Sequence, residues 1–298
     1  MKPVRPALTN LSARYTITGG RPESWVTLET TVRPEVLARR DATGGLELVL
    51  PGLACAMAPG TISVRDGLVD HLEVRHSPPA SLRVNIALDH AADFTLRTDP
   101  GLPCRTTVVL DRSHIGRLLA GRLIVLDPGH GGADGGARGP VNLWERDKCW
   151  EIALFASQFL REAGAAVVFT HRRDEDPSER ARRGKARANR AQLYLSLHAG
   201  EDRVAGGRGA RTVAIGPTAI SRKLAEALQQ AVLNRFPLPD LGVAVEPPDP
   251  ALTIPAVRLE PLTITHGLDE ALLRSPTFKR GLGLAVLTGV KNFLGGRK

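Results

Sequence analysis

Two patterns of hydrophobic and polar positions divide this chain of 298 residues. Residues 1–120 carry short β-rich runs in which apolar and polar side chains alternate, as in 46–50 and 82–88, and turn residues such as Asp66-Gly67 separate the runs. Many short strands with regular turns are typical of a β-sandwich. We therefore predict a small all-β, sandwich-like domain over residues 1–115.

From residue 122 the pattern changes to buried strands that alternate with amphipathic helices. The apolar run Leu123–Leu126 predicts a parallel strand, and apolar residues at i, i+3, i+4 and i+7 predict a helix over 147–163. Such alternation indicates an α/β domain with a mainly parallel sheet and helices on both faces, which we place at residues 122–298. Further strands are predicted at 166–170, 193–197, 211–215 and 256–259, and further helices at 178–191, 218–236 and 276–294.

Two local predictions complete this organisation. Residues 116–121 are predicted to link the two domains. The helix over 178–191 is predicted to bury a face of small residues and to expose a face rich in arginine. The small residues are Ala181, Gly184, Ala188 and Ala191.

The composition narrows the classes of function. No run of 18 apolar residues is present, so no transmembrane segment is predicted. Residues 1–6 lack the apolar core of a secretion signal, and we expect no signal peptide in this sequence. The net charge of +9 suits a polyanionic partner. No basic run interleaves with stacking aromatic residues, however, so we expect no nucleic acid partner.

Cysteine usage argues against two kinds of site. Cys55, Cys104 and Cys149 lie far apart, and no CxxC motif is present. A thiolate zinc site and a disulfide framework are therefore not expected. The spacing leaves a single Cys55–Cys104 disulfide open.

The glycine-rich turn at residues 127–136 is the most informative stretch. It directly follows the strand Leu123–Leu126, and its Pro128 cannot donate a hydrogen bond to a sheet. His130 is thus held at the carboxyl end of a strand, where open α/β sheets place their ligand crevice. In phosphate-binding loops the glycines lead directly into a helix. Here a stretch that contains Glu145 separates the glycine-rich turn from the helix predicted at 147–163. We interpret the turn as presenting a metal ligand.

Two more chemically active side chains follow strands of the same predicted sheet. His198 ends the strand at 193–197, and Glu260 ends the strand at 256–259. Parallel strands bring their carboxyl ends to one edge, and Glu145 is near enough in sequence to His130 to fold back over it. Imidazole and carboxylate ligands suit a catalytic zinc ion that keeps one position for water. Spacing alone leaves a structural role for the two histidines open.

Residues 121–297 resemble the zinc-dependent N-acetylmuramoyl-L-alanine amidases that have an amidase family 3 catalytic domain. The resemblance rests on the motifs at 127–132, 145–147, 196–199, 255–260 and 269–273, which read DPGHGG, ERD, SLHA, PAVRLE and DEALL. It implies that His130, Glu145 and His198 bind one Zn²⁺ ion and that Glu260 is the catalytic acid and base. Arg180 also matches the family pattern.

The resemblance implies a reaction, a partner and a location. The reaction is hydrolysis, by zinc-activated water, of the amide between the lactyl group of N-acetylmuramic acid and the L-alanine of the stem peptide. The implied partner is peptidoglycan, and the implied location is the cell envelope. Residues 1–115 weakly resemble the AMIN domain, a β-rich module associated with cell-wall targeting, through the run Leu46–Gly52.

Some positions depart from the family pattern. Gly200 stands where the family usually has asparagine, His171 where it has arginine, and Pro261–His266 replace a Gly-Phe motif. We interpret His171 and His266 as local substitutions rather than ligands. The departures leave open a zinc hydrolase of a different amide. A non-catalytic cell-wall-binding protein on the same fold is a further alternative, against which the retained Glu260 argues, since an inactive binder needs no base.

The stretch between His198 and Glu260 predicts an accessible site. Some family members insert a regulatory helix here that covers the metal. This chain has room for one strand, one helix and a loop. We therefore predict that no helix from 199–216 or 236–255 covers the site.

Overall fold

The computed structural model describes residues 5–58, 60–77, 81–200 and 207–296. The chain forms two compact units, Met1–His114 and Ile115–Lys298. Among the described residues no helix is long and apolar enough to cross a bilayer.

The first unit is all-β, as predicted. One sheet has the order β5-β1-β2-β10-β9 and the other the order β3-β4-β8-β7-β6. All pairs are antiparallel except β1 with β5. The strands are β1 (Ala7–Thr18), β2 (Arg21–Thr30), β3 (Leu37–Arg40), β4 (Leu46–Pro51), β5 (Ala54–Cys55), β6 (Gly60–Ser63), β7 (Val69–Ser77), β8 (Ser81–Leu88), β9 (Phe94–Asp99) and β10 (Cys104–Asp111).

Strand alternation builds the core of this unit. Every second residue is fully buried from Leu46 to Leu50 in β4 and from Leu82 to Ile86 in β8, which is the period of a sheet with one face in the core. A buried ion pair crosses this interior, because Arg112 Nη1 lies 3.2 Å from Asp66 Oδ1 and donates to Ser24 Oγ at 2.7 Å. Cys55 and Cys104 are both free thiols, so the disulfide that the sequence left open is absent.

The second unit is an α/β domain around a six-stranded sheet of order β12-β11-β13-β16-β14-β15. All neighbouring strands are parallel except β14 and β16. The strands are β11 (Leu123–Pro128), β12 (Ala166–Phe169), β13 (Leu193–Leu197), β14 (Ala210–Ala214), β15 (Asp240–Val245) and β16 (Ala256–Glu260). The helices are α1 (Ser113–Leu119), α2 (Glu145–Glu162), α3 (Glu179–Ala188), α4 (Thr218–Arg235), α5 (Gly267–Arg274) and α6 (Pro276–Leu294).

Helices cover both faces of this sheet. On one face Ala186 of α3 packs in a cluster with Val125 and Tyr194. On the other, α6 packs against both α2 and α4. The predicted start of α6 is confirmed, because Ser275 Oγ accepts a hydrogen bond from the N–H of Phe278 at 3.3 Å and Pro276 begins the helix.

The predicted small-residue face of α3 is wrong at three of its four positions, and only Ala191, just after the helix, is buried. Ala181, Gly184 and Ala188 are exposed, and the helix instead buries Arg182 and Ala186. The guanidinium of Arg182 finds an anion and several carbonyl oxygens below the sheet edge, so a charged residue can face inward.

Three further segments differ from the sequence predictions. Most of the predicted linker at 116–121 is helical, because α1 buries Ile115 and Leu119 one turn apart. The stretch between α4 and β16, in which no strand was predicted, contains β15, which pairs with β14 at the sheet edge. The short helix α5 follows Glu260 and was not predicted at all.

Candidate active site

His130 is held in a strained turn at the end of β11. Its φ of 64° lies in the left-handed region, which residues other than glycine rarely adopt. Reciprocal backbone hydrogen bonds between Gly131 and Asp134, at 3.0 and 2.8 Å, close the turn. His130 Nδ1 lies 2.7 Å from Asp134 Oδ2, and its Nε2 lies 3.0 Å from Glu145 Oε2. The turn thus aims Nε2 at the glutamate.

Glu145 joins the two histidines. It is the first residue of α2, and it is buried. Its Oε2 accepts a hydrogen bond from the N–H of Ala137 at 3.0 Å, and its Oε1 accepts one from the N–H of Ala199 at 3.1 Å. Oε1 also lies 3.1 Å from His198 Nδ1. One carboxylate therefore bridges both imidazoles, and backbone amides fix its position.

The three side chains form one compact group. One possible ligand atom from each of His130, Glu145 and His198 lies within 4.8 Å of the others. Glycines make room for the two rings, because a side chain at Gly129 would collide with the ring of His198, and one at Gly136 with the ring of His130. Gly129 and Gly136 therefore clear space for the two imidazoles.

The charges of this group are strongly coupled. Burial disfavours a charged His130, but hydrogen bonds and charge from Glu145 and Asp134 outweigh it and raise the pKa of His130 to about 9. Burial also opposes ionisation of Glu145, yet hydrogen bonds to the two histidines lower its pKa well below the usual range. An ionised carboxylate between two imidazoles is a donor set that divalent zinc accepts.

Glu260 lies in the same cleft at the end of β16. His130, Glu145, His198 and Glu260 all line this cleft, together with Arg258. Glu260 is 9% exposed, and its Oε1 accepts a hydrogen bond from Arg258 Nε at 2.8 Å. The structure thus brings together all four side chains that the sequence singled out.

A buried polar network below the turn was missed by the sequence reasoning. Asp127 accepts hydrogen bonds from Thr170 Oγ1 at 2.6 Å, Tyr194 Oη at 2.7 Å, Ser196 Oγ at 2.9 Å and Arg182 Nη1 at 3.1 Å. A buried carboxylate such as that of Asp127 must be hydrogen-bonded. Its place at the end of a buried strand was the one sign in the sequence that such partners exist.

Arg182 connects this network to the histidine turn. Its Nη1 donates to the carbonyl oxygen of Pro128 and its Nη2 to that of His130, both at 2.9 Å. Arg182 is 3% exposed, whereas Arg180, which matched the family pattern, is exposed. The structure therefore gives the anchoring contact to Arg182 and not to Arg180.

The two other histidines near the motifs lie outside the group of three. His171 is buried, with Nδ1 2.8 Å from Thr170 Oγ1. His266 occupies the N-cap position of α5. In the described parts of 199–216 and 236–255 the chain forms β14, β15 and loops, with no helix.

Comparison with known proteins gives the family. Residues 124–292 match the N-acetylmuramoyl-L-alanine amidase family. The germination-specific N-acetylmuramoyl-L-alanine amidase of Bacillus subtilis is 34% identical over 125 residues, which cover 37% of this chain and 52% of that protein. The amidase LytC of the same organism is 29% identical over 59% of this chain and 36% of its own length. The chain thus spans about half or less of these relatives.

A solved structure agrees on the fold. The amidase AmiC2 of Nostoc punctiforme superposes with a TM-score of 0.55 at 24% identity, covering 59% of this chain and 99% of that one. By the match over residues 124–292, this chain belongs to the N-acetylmuramoyl-L-alanine amidase family.

Proposed function

We propose that the α/β unit is a zinc-dependent amidase that cleaves the bond between the lactyl group of N-acetylmuramic acid and the L-alanine of the peptidoglycan stem peptide. One observation carries the proposal. In a chain of this family, His130, Glu145 and His198 converge within 4.8 Å in a cleft that Glu260 also lines. We further propose that the protein acts at the cell envelope, where this substrate lies.

The residues present fit a zinc ion. Two imidazoles and one carboxylate make three protein ligands, the number that catalytic zinc sites use while they keep a position open. All three side chains line the cleft, and backbone amides hold both oxygens of Glu145. Asp134 engages Nδ1 of His130, which directs Nε2 inward and is a typical orienting contact for a metal-binding histidine.

The zinc ion and Glu260 would have different roles in the reaction. When bound, zinc would supply a Lewis acid that polarises the amide carbonyl and lowers the pKa of water. Glu260 accepts the proton of the attacking water and returns it to the amine of L-alanine as that amine leaves. The low exposure of Glu260 keeps this proton transfer inside the cleft.

Digestion of purified peptidoglycan tests the proposal. We expect the wild type to release free stem peptides that begin with L-alanine. Glu260→Ala and chelator treatment should each abolish the release, and zinc should restore the chelated wild type. Products cut at another bond would show a zinc hydrolase of a different amide. Binding without any product would contradict the proposal and favour a wall-binding protein.

A further inference from the structure

Arg258 contacts the residue that we propose as the base. Residues two apart on a strand share one face of the sheet, so β16 places Arg258 and Glu260 side by side. Arg258 Nε donates to Glu260 Oε1 at 2.8 Å. The side chains are 20% and 11% exposed, so water competes little for this charge-assisted hydrogen bond.

A second carboxylate holds Arg258 from its other end. Arg258 Nη2 donates to Glu246 Oε1 at 2.6 Å. Glu246 directly follows β15, and its N–H donates to the carbonyl oxygen of Ala214 at 3.0 Å. Burial disfavours the charged guanidinium, but the hydrogen bonds to Glu246 and Glu260 raise the pKa of Arg258. Arg258 is thus a fixed cation between two anions.

The two oxygens of Glu260 have different surroundings. Oε1 is engaged by Arg258. Oε2 lies 3.9 Å from Arg211 Nη1, which is beyond hydrogen-bond reach. Gly200 leaves space beside Oε2, since a Cβ there would lie only 3.3 Å from it. The arrangement leaves Oε2 as the oxygen that can take a proton in the cleft.

We propose that Arg258 is a positioning residue, which binds Oε1 of Glu260 and thereby holds Oε2 toward the reacting water. This inference rests on the proposed function, because it concerns the same reaction. It extends that function by assigning a role to a residue outside the group of three proposed ligands. A general base must sit within hydrogen-bond reach of its proton, so a loosened Glu260 loses rate rather than substrate affinity.

Kinetics with a soluble N-acetylmuramoyl peptide test the inference. Arg258→Met should lower kcat by about 10- to 100-fold with KM within about threefold of the wild type. The kcat of Arg258→Lys should lie between those of the wild type and Arg258→Met. The lysine ammonium replaces the positive charge, but it does not replace the planar guanidinium with its several N–H donors. Arg222→Met, an exposed arginine paired with Glu226 on α4, is the matched control and should keep wild-type rates.

Two results would overturn the inference: a kcat of Arg258→Met within twofold of the wild type, or a raised KM with kcat retained. Zinc content and melting temperature establish that each variant is folded. If Arg258→Met does not fold, Arg258→Lys carries the test, and an unchanged kcat in it contradicts the inference.

Crystal structures of the wild type and the variants separate this inference from the proposed function. We expect one ordered conformer of Glu260 in the wild type and a displaced or multiple conformer in Arg258→Met or Arg258→Lys. An unmoved Glu260 contradicts a positioning role. A wild type that cleaves no muramoyl amide contradicts the proposed function, while the comparison of conformers still decides what Arg258 does.

Discussion

At the scale of single residues, His130 shows how the site is prepared. A left-handed φ at a residue other than glycine costs about 1–2 kcal/mol, and the surrounding contacts must hold it. Asp134 closes the turn through its backbone and engages Nδ1 of His130 through its side chain. The same residue thus shapes the turn and orients the ring.

Asp134→Asn tests this orienting contact. Weakening the carboxylate contact to Nδ1 should reduce zinc affinity by about 10- to 100-fold, as loss of an outer contact to a metal-binding histidine generally does. Competition with a fluorescent zinc chelator measures the change. Asp93→Asn, at a side chain that is 97% exposed in the first unit, should leave zinc affinity as it is. Equal zinc affinity in both variants would show that Asp134 does not orient His130.

At the scale of elements, α3 anchors the site from below the sheet edge. Arg182 joins the helix to Asp127 in β11 and to the carbonyl oxygen of His130. The side chains of Arg182 and Asp127 are 4% and 3% exposed, so each depends on the other for compensation of its charge.

Replacement of Arg182 should therefore destabilise the α/β unit. Arg182→Met leaves Asp127 buried without its cation and should cost about 3–5 kcal/mol in the free energy of unfolding. The exposed neighbour gives a matched control, since Arg180→Met should cost less than about 0.5 kcal/mol. Urea unfolding compares the two variants. Similar costs for both would contradict the anchoring role.

The sequence predicted the residues of the candidate site better than the arginines that hold them in place. His130, His198 and Glu260 were singled out because parallel strands bring their carboxyl ends to one edge, and the family resemblance gave these residues their roles. Arg182 and Arg258 were missed because their inward direction depends on partners that meet them only in the folded chain. The spacing of small and apolar residues along the chain does not reveal such partners. For this reason the sequence predicted the wrong buried face for α3.

At the scale of the whole molecule, the chain contains two units with separate cores. The proposed chemistry uses residues of the second unit, and the first unit contains a buried ion pair between Arg112 and Asp66. Burial disfavours ionisation of Asp66, but Arg112, Ser24 and two backbone amides outweigh it and lower its pKa below the usual range of an aspartate. A lowered carboxyl pKa adds stability at neutral pH that is lost as the pH falls through the pKa of the folded state.

Acid should therefore weaken the first unit, and Asp66→Asn should reduce that dependence. We expect the wild-type free energy of unfolding to fall below about pH 4, while the variant is less stable at pH 7 and changes less with pH. Each protein is unfolded in urea at several pH values and then labelled by a short deuterium pulse at one fixed pH. Deuterium uptake in peptides of β4 and β8 gives the free energy of unfolding of the first unit and its change with pH. Parallel pH profiles for the two proteins would rule out Asp66 as the source.

Zinc should stabilise one unit and not the other. A ligand that binds only the folded state raises stability by mass action, and the three proposed ligands all lie in the second unit. Chelation should therefore lower the unfolding temperature of peptides from β11 and β13 by several degrees and leave those from β4 and β8 unchanged. Equal shifts in both units, or none, would contradict a zinc site at His130, Glu145 and His198.

Isotope labelling tests the central claim most directly. A soluble N-acetylmuramoyl peptide is incubated with the zinc-loaded protein in H₂¹⁸O, and the products are analysed by mass spectrometry. Hydrolysis at the proposed bond places one ¹⁸O atom in the lactyl carboxylate and frees an unlabelled peptide with an L-alanine amino terminus. Label in a peptide carboxylate, or an intact substrate after full zinc loading, would contradict the account.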